Sequence, residues 1–191
     1  MASLVLLLLR KFCAIFGRVI SVEYNLLVHY FGDAGYLAAR REIERHLIAL
    51  GDKKALIEKT RDGRVIGVKT VLEPKEIIQE LKEKAVENPA EFSATENWIP
   101  VDNWCNASLD GIKKKVLGML EQINPNERWS AEIETWGRGP FAEEILSVLK
   151  RIISARFVEE AASKIVFVEF QAAECAVSIL RQDDIFRVVR V

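Results

Sequence analysis

The residues of this chain best placed to do chemistry are basic, and the chemistry is anion binding. Gly137-Arg138-Gly139-Pro140 sets a guanidinium beside the expected start of a helix. There, free backbone N–H groups and the helix dipole favour an anion such as phosphate. Arginine can also hold a phosphate through two donors at once. Glu143 and Glu144 already complement that dipole, so a solvated arginine in a glycine turn is the alternative. Lys150 and Arg151 are adjacent on the outward side of the same helix, with Arg156 just beyond. They extend a phosphate track from Arg138, each neutralised phosphate adding salt-sensitive affinity. Lys113-Lys114-Lys115 are consecutive, so a helix spreads them over ~200° and only part of the cluster can face one partner. Lys69 is the candidate cation of the N-terminal half, with Lys59 and Arg64 on neighbouring strands of its hairpin. Trp136 shares a strand face with Arg128, Ser130, Glu132 and Glu134 and lies next to Arg138. An aromatic there can stack on an unpaired base, worth roughly 1–3 kcal/mol, or be covered by a helix or a domain interface. Trp129 alternates with Ala131 and Ile133 and is expected in the core.

Enzyme chemistry lacks parts. His29 and His46 are the only histidines, one on an expected strand and one on an expected helix, and neither has a signature partner. No G-x-x-x-x-G-K-[ST], G-x-S-x-G or G-x-G-x-x-G motif occurs. Cys13, Cys105 and Cys175 are far apart with no CxxC pair. That pattern argues against both a disulfide framework and a zinc site and fits reduced thiols in a cytoplasm. No catalytic residue, metal or cofactor is expected.

Net charge is −1 over 191 residues, of which half are hydrophobic. Residues 1–96 carry 15 basic and 14 acidic side chains, and residues 97–191 carry 12 and 14. No global field draws this molecule to a polyanion, so any nucleic-acid binding must come from local patches. The apolar run Leu4–Leu9 lacks a preceding cation and a cleavage site, and Arg10 and Lys11 follow it directly. It is also shorter than the roughly 20 apolar residues that a membrane span needs, so no membrane partner is expected. Residues 1–21 are either a short hydrophobic helix packed on the domain or an upstream extension, with Val19 or Val22 as the natural start. Exposed, they would favour a homo-oligomer.

The elements that must position these residues read as two units. Residues 22–95 give a strand at Asn25–Tyr30, a turn at Gly32–Gly35, and a helix at Tyr36–Leu50 with Leu37, Ile43, Leu47 and Leu50 inward. A hairpin follows, Ala55–Lys59 and Arg64–Thr70, joined through Asp62-Gly63. A helix opens at Pro74 with Ile77, Ile78, Leu81 and Ala85 inward, and a strand is expected near Phe92–Trp98. That order is the ferredoxin-like split βαβ pattern. Residues 96–191 give a helix from Ser108 to about Ile123, a strand at Arg128–Trp136, and a helix from Pro140 to about Phe157. A central strand at Ile165–Phe170 and another at Ala176–Leu180 follow, and the tail from Asp184 forms either an edge strand or a loose segment. The fold class is α+β.

Asn25–Tyr30, Gly67–Pro74, Trp98-Ile99-Pro100-Val101, Lys164–Glu169 and Ala176–Leu180 together resemble the archaeal and eukaryotic tRNA-acetylation adaptor family. The resemblance runs from about residue 25 to 181. It implies an N-terminal ferredoxin-like domain followed by a THUMP α/β domain, which together hold the acceptor stem and 3′ end of tRNA. It also implies no catalysis by the chain itself, the partner being an RNA cytidine acetyltransferase that makes N4-acetylcytidine. The sequence departs from the family in two places. The strand before the glycine loop carries Glu132 and Glu134 where basic residues are usual, and Val158–Ser163 replaces an Asp-rich, Pro-containing approach to the penultimate strand. On this resemblance the RNA-binding set is Lys69, Lys113, Lys114, Trp136, Arg138, Lys150, Arg151 and Arg156. The alternative is a THUMP-fold interaction or oligomerisation module with weak or lost RNA binding.

Overall fold

Two five-stranded sheets lie face to face, each covered on its outer side by a pair of helices. A computed structural model of the protein describes residues 23–60, 63–135 and 140–190. The N-terminal apolar segment and the stretch containing Trp136 and Arg138 lie outside the described residues.

The first unit runs β1 (Leu26–Tyr30), α1 (Tyr36–Ala49), β2 (Leu56–Lys59), β3 (Val65–Lys69), α2 (Pro74–Glu87) and β4 (Thr95–Pro100). Its sheet order, β4-β1-β3-β2, is all antiparallel and is the ferredoxin-like arrangement. Glycine stands at the two bends around α1 that need a positive φ, Gly35 at +75° before it and Gly51 at +105° after it. The second unit runs β5 (Asn103–Asn106), α3 (Leu109–Leu117), β6 (Arg128–Glu134), α4 (Ala142–Ile152), β7 (Arg156–Phe157), β8 (Lys164–Gln171) and β9 (Glu174–Leu180). Its sheet order is β5-β9-β8-β6-β7, with β6 parallel to both β7 and β8. The tail then crosses back, and β10 (Phe186–Arg187) pairs with β4 at the edge of the first sheet. Of the two readings of the tail, the edge strand is the one that forms.

Strand alternation explains the stacking. Leu26, Val28, Ile66, Val68 and Trp98 pack on α1 and α2, whereas Leu27, Val65 and Ile99 face the other way. Those three meet Ile165, Phe167, Ala176 and Leu180 of the second sheet. The opposite face of that sheet, with Val166, Val168, Val177 and Trp129, packs on Ile112, Val116, Ile145 and Leu149 of α3 and α4. Central strands buried on both faces must be apolar almost throughout, which is why β1 and β8 show little polar alternation.

Several boundaries differ from the sequence expectation, each for a tertiary reason. Leu37 is 64% exposed instead of inward; the buried stripe of α1 is Ala39, Glu42, Ile43, His46 and Leu47. Glu42 replaces apolar contact with hydrogen bonds. Its carboxylate accepts from the backbone N–H groups of Ser93, Ala94 and Thr95 at 3.0, 2.8 and 3.0 Å, and from the Thr95 hydroxyl. Those amides are thereby held by a side chain, and β4 begins at Thr95, later than Phe92. The helix from Ser108 stops at Leu117 with Gly118 as its cap, and residues 120–122 form a 3-10 turn. Helix α4 begins at Ala142, not at Pro140, with the Glu144 carboxylate accepting from the Phe141 amide at 3.1 Å. It ends at Ile152, because Arg156 and Phe157 pair in parallel with Arg128 and Trp129. Strand β5, with the polar sequence Asn-Trp-Cys-Asn, carries no periodic apolar signal and is an unexpected element.

Candidate nucleic-acid interface

The outward surface of α3 and α4 carries four exposed basic residues, Lys113, Lys114, Lys150 and Arg151. Ser108 caps α3, its hydroxyl accepting from the Gly111 amide at 3.1 Å, and this sets the rotation of Lys113 on the helix. A cleft of about 410 Å³ opens between the helices, with Leu109, Asp110 and Lys113 on one wall and Val148, Arg151 and Ile152 on the other. A second, shallower depression of about 320 Å³ continues along α4, lined by Glu143, Leu146, Ser147, Lys150 and Arg151. Arg151 belongs to both, and its Nε donates to the Ser147 carbonyl at 3.3 Å. Lys150 Nζ sits 3.9 Å from the centroid of the Phe157 ring, which holds the ammonium in place while leaving it exposed. Arg156 is exposed on β7, and its register partner on β6 is the exposed Arg128.

None of Lys113, Lys114, Arg128, Lys150, Arg151 or Arg156 has a carboxylate within 4 Å among the described residues. Four cations elsewhere do, Lys75 with Asp184, Lys82 with Asp183, Arg187 with Glu132, and Arg190 with Asp33, whereas Arg40 and Arg41 on α1 are exposed like those of α3 and α4. Asp110 and Glu143 line the clefts and weaken their positive field without contacting these cations.

Of the residues singled out in the sequence, Lys113, Lys150 and Arg151 come together. Arg156 stands where the chain leaves α4, and Lys114 is exposed on α3 beside Lys113. Lys69 does not join them. It ends β3 in the first sheet, on the strand side shared with Val65 and Gly67, and the second sheet lies between it and α4. Trp136 and Arg138 lie outside the described residues. The sequence places Arg128 on a strand face but not beside Arg156, because pairing between β6 and β7, 28 positions apart, has no local signature. Phe141, 73% exposed at the start of α4, was unnoticed, although an aromatic next to a proline at a helix start is a readable signal.

A second polar region lies in the seam between the sheets. His29 on β1 and the buried Glu169 on β8 approach to 2.9 Å, and Gln171 donates to the other Glu169 oxygen at 3.1 Å. Burial works against the charged imidazole, but the hydrogen bond and charge of Glu169, with Glu134 and Glu96 beyond, outweigh it and raise the His29 pKa. Burial and the Glu169 charge likewise push the Glu134 carboxyl up. Arg187 bridges both Glu132 oxygens at 2.6 and 2.8 Å, and Trp104 donates its indole N–H to the Tyr24 carbonyl at 2.7 Å. These contacts fix one sheet against the other. His46, by contrast, is buried and stacked on Phe92 with centroids 4.5 Å apart, and burial with the nearby Arg45 lowers its pKa. Among the described residues no group of three His, Cys, Asp or Glu side chains is placed to hold a metal ion. No described helix is long and apolar enough to cross a membrane.

No protein-family model matches the chain, and no curated protein matches it in sequence. Among solved structures it is similar to PH1313 from Pyrococcus horikoshii Ot3, with a TM-score of 0.58 and 12% identity over 85% of this chain and 54% of that one. It also matches a 4-thiouridine synthetase solved as an RNA complex with bound ATP (TM-score 0.46, 15% identity, 82% of this chain and 40% of that one). A third match is TrmN from Thermus thermophilus (TM-score 0.48, 11% identity, 81% and 44%). The chain spans about half the length of PH1313. The likeness to PH1313 shows a shared α+β fold across most of this chain.

Proposed function

We propose that this protein is a non-catalytic RNA-binding adaptor of the THUMP type that holds the acceptor stem and 3′ end of tRNA for a separate modifying enzyme. The fold supports this reading: a ferredoxin-like unit followed by an α/β unit is what the sequence resemblance implies. One observation carries it. In a molecule of net charge −1, Lys113, Lys114, Lys150 and Arg151 stand on the outer surface of α3 and α4 with no acidic partner among the described residues. Such a surface is suited to phosphates, which supply most of the affinity of RNA-binding proteins and little of the sequence choice. The partner on this reading is an RNA cytidine acetyltransferase, the product N4-acetylcytidine, and the compartment the cytoplasm.

Fluorescence anisotropy with labelled tRNA, intact or lacking its 3′ single-stranded end, tests the proposal. Neutralising four phosphates predicts an affinity that falls about a hundredfold between roughly 50 and 200 mM salt. Removing the 3′ end should weaken binding further. Binding indifferent to both would sink it. Loss of N4-acetylcytidine from tRNA in cells lacking the gene tests the finer claim. A second reading, an interaction module with weak RNA affinity, is favoured by Asp110 and Glu143 in the clefts and by the exposed Phe141. It predicts no measurable tRNA binding and an oligomer by gel filtration.

A further inference from the structure

Cys105 and Cys175 are 70 residues apart, yet the antiparallel pairing of β5 and β9 makes them register partners. Their Sγ atoms are 3.3 Å apart, and both thiols are free. Directly opposed residues on antiparallel strands have Cα atoms about 4.5–5.5 Å apart, inside the span a disulfide bridges. Closing the bond to about 2.05 Å needs only small side-chain rotations. The two thiols also differ in access. Cys175 is fully buried under α3, among Ile112 and Val116, whereas Cys105 is only partly buried against the same core, on the edge strand of the sheet. We infer that Cys105 and Cys175 form a thiol–disulfide exchange site, in which Cys105 attacks a small-molecule disulfide such as oxidised glutathione and Cys175 resolves the adduct into an intramolecular bond. This inference is independent of the RNA-binding reading.

The chemistry balances. The Cys105 thiolate attacks one sulfur of the small disulfide, forming a mixed disulfide and releasing one small thiolate. The Cys175 sulfur then loses its proton and attacks Cys105 Sγ, which expels the second small thiolate. Two protein thiols are oxidised, one small disulfide is reduced to two thiols, and no other oxidant is needed. The surroundings match these roles. The hydrogen bond from Cys175 and the charge of Lys115 favour the thiolate of Cys105 over the opposing effects of burial and Glu174, so its pKa is lowered. That same hydrogen bond, with burial, pushes the Cys175 thiol far up. Once Cys105 is capped, its negative charge is gone and the largest cause of the Cys175 shift is removed. The product would pin the edge strand β5, and the start of α3 behind it, to β9.

The test uses the full chain with Cys13→Ser, so that only this pair reports. After incubation with oxidised glutathione under native conditions, intact mass should show loss of two hydrogens, and thiol titration after unfolding should find no free cysteine. Cys175→Ala should stop at one glutathione adduct on Cys105. Cys105→Ala should remain unmodified, its remaining thiol being buried. Circular dichroism confirms that each variant is folded, and the parent chain's mass decides the matter if a variant is not. A parent chain that keeps both thiols, or that carries a stable adduct without closing, overturns the inference.

Discussion

The helix pair α1–α2 and the helix pair α3–α4 cover opposite outer faces of one sheet stack, but their basic residues have different neighbours. Around α1 and α2, Arg45 donates to the Glu91 carbonyl at 2.6 Å, Lys75 pairs with Asp184, and Lys82 holds both the carboxylate and the carbonyl of Asp183. These cations fasten the loop before β4 and the returning tail to the first unit. On α3 and α4, Lys113, Lys150 and Arg151 fasten no acid among the described residues, and the Phe157 ring and the Ser147 carbonyl order Lys150 and Arg151. A near-zero net charge therefore conceals an uneven division of labour. In the first helix layer Arg45, Lys75 and Lys82 hold chain segments together while Arg40 and Arg41 face solvent; in the second, Lys113, Lys150 and Arg151 all face solvent and any polyanion in it.

The comparison can be broken at several points. The largest effect is expected at Glu42, the buried clamp of the α1 layer. Glu42→Ala leaves three backbone amides and the Thr95 hydroxyl without their acceptor, and should cost about 3–5 kcal/mol in urea denaturation, the scale for removing one partner of a buried charged network. A loss under about 1 kcal/mol would show that water replaces the carboxylate. Next, the double variant Lys150→Ala with Arg151→Ala should weaken tRNA binding about tenfold, equivalent to about 1.4 kcal/mol, and flatten its salt dependence. Lys75→Ala with Lys82→Ala should leave binding unchanged. Equal losses in the two pairs would erase the distinction between the layers.

The two histidines sharpen the contrast through pH. The His29 pKa is raised in the folded state, so its stabilisation is fully present below the unfolded value near 6.5 and is lost as pH rises through the folded value. The His46 pKa is lowered, so stability is lost as pH falls from about 6.5 towards its folded value. Thermal melts of His29→Gln should lack the fall on the alkaline side and keep the one on the acid side. The smallest effect belongs to Lys82→Ala, because a partly exposed pair contributes less than about 1 kcal/mol; a larger shift in the urea midpoint would mark the tail as a structural strap.

Much of the first unit was legible because its signals are local. The positive-φ glycines flanking α1, the proline opening α2 and the apolar stripe Ile77, Ile78 and Leu81 each act within a few residues of themselves. The candidate site was legible in part. Outward placement of Lys150 and Arg151 follows from helical period, but their neighbours across the cleft on α3 do not.

By itself, the sequence determined the α+β class, the order of the main elements, and the burial of Trp129 on one face of β6. Only tertiary structure decided that Asn-Trp-Cys-Asn is a strand, that Arg156 lies beside Arg128, that Glu42 is buried, and that two distant cysteines meet. Periodicity records which side of one element is dry. Pairing between segments far apart is settled by backbone hydrogen bonds and shared cores, which depend on the whole chain and leave no mark within any one window of it.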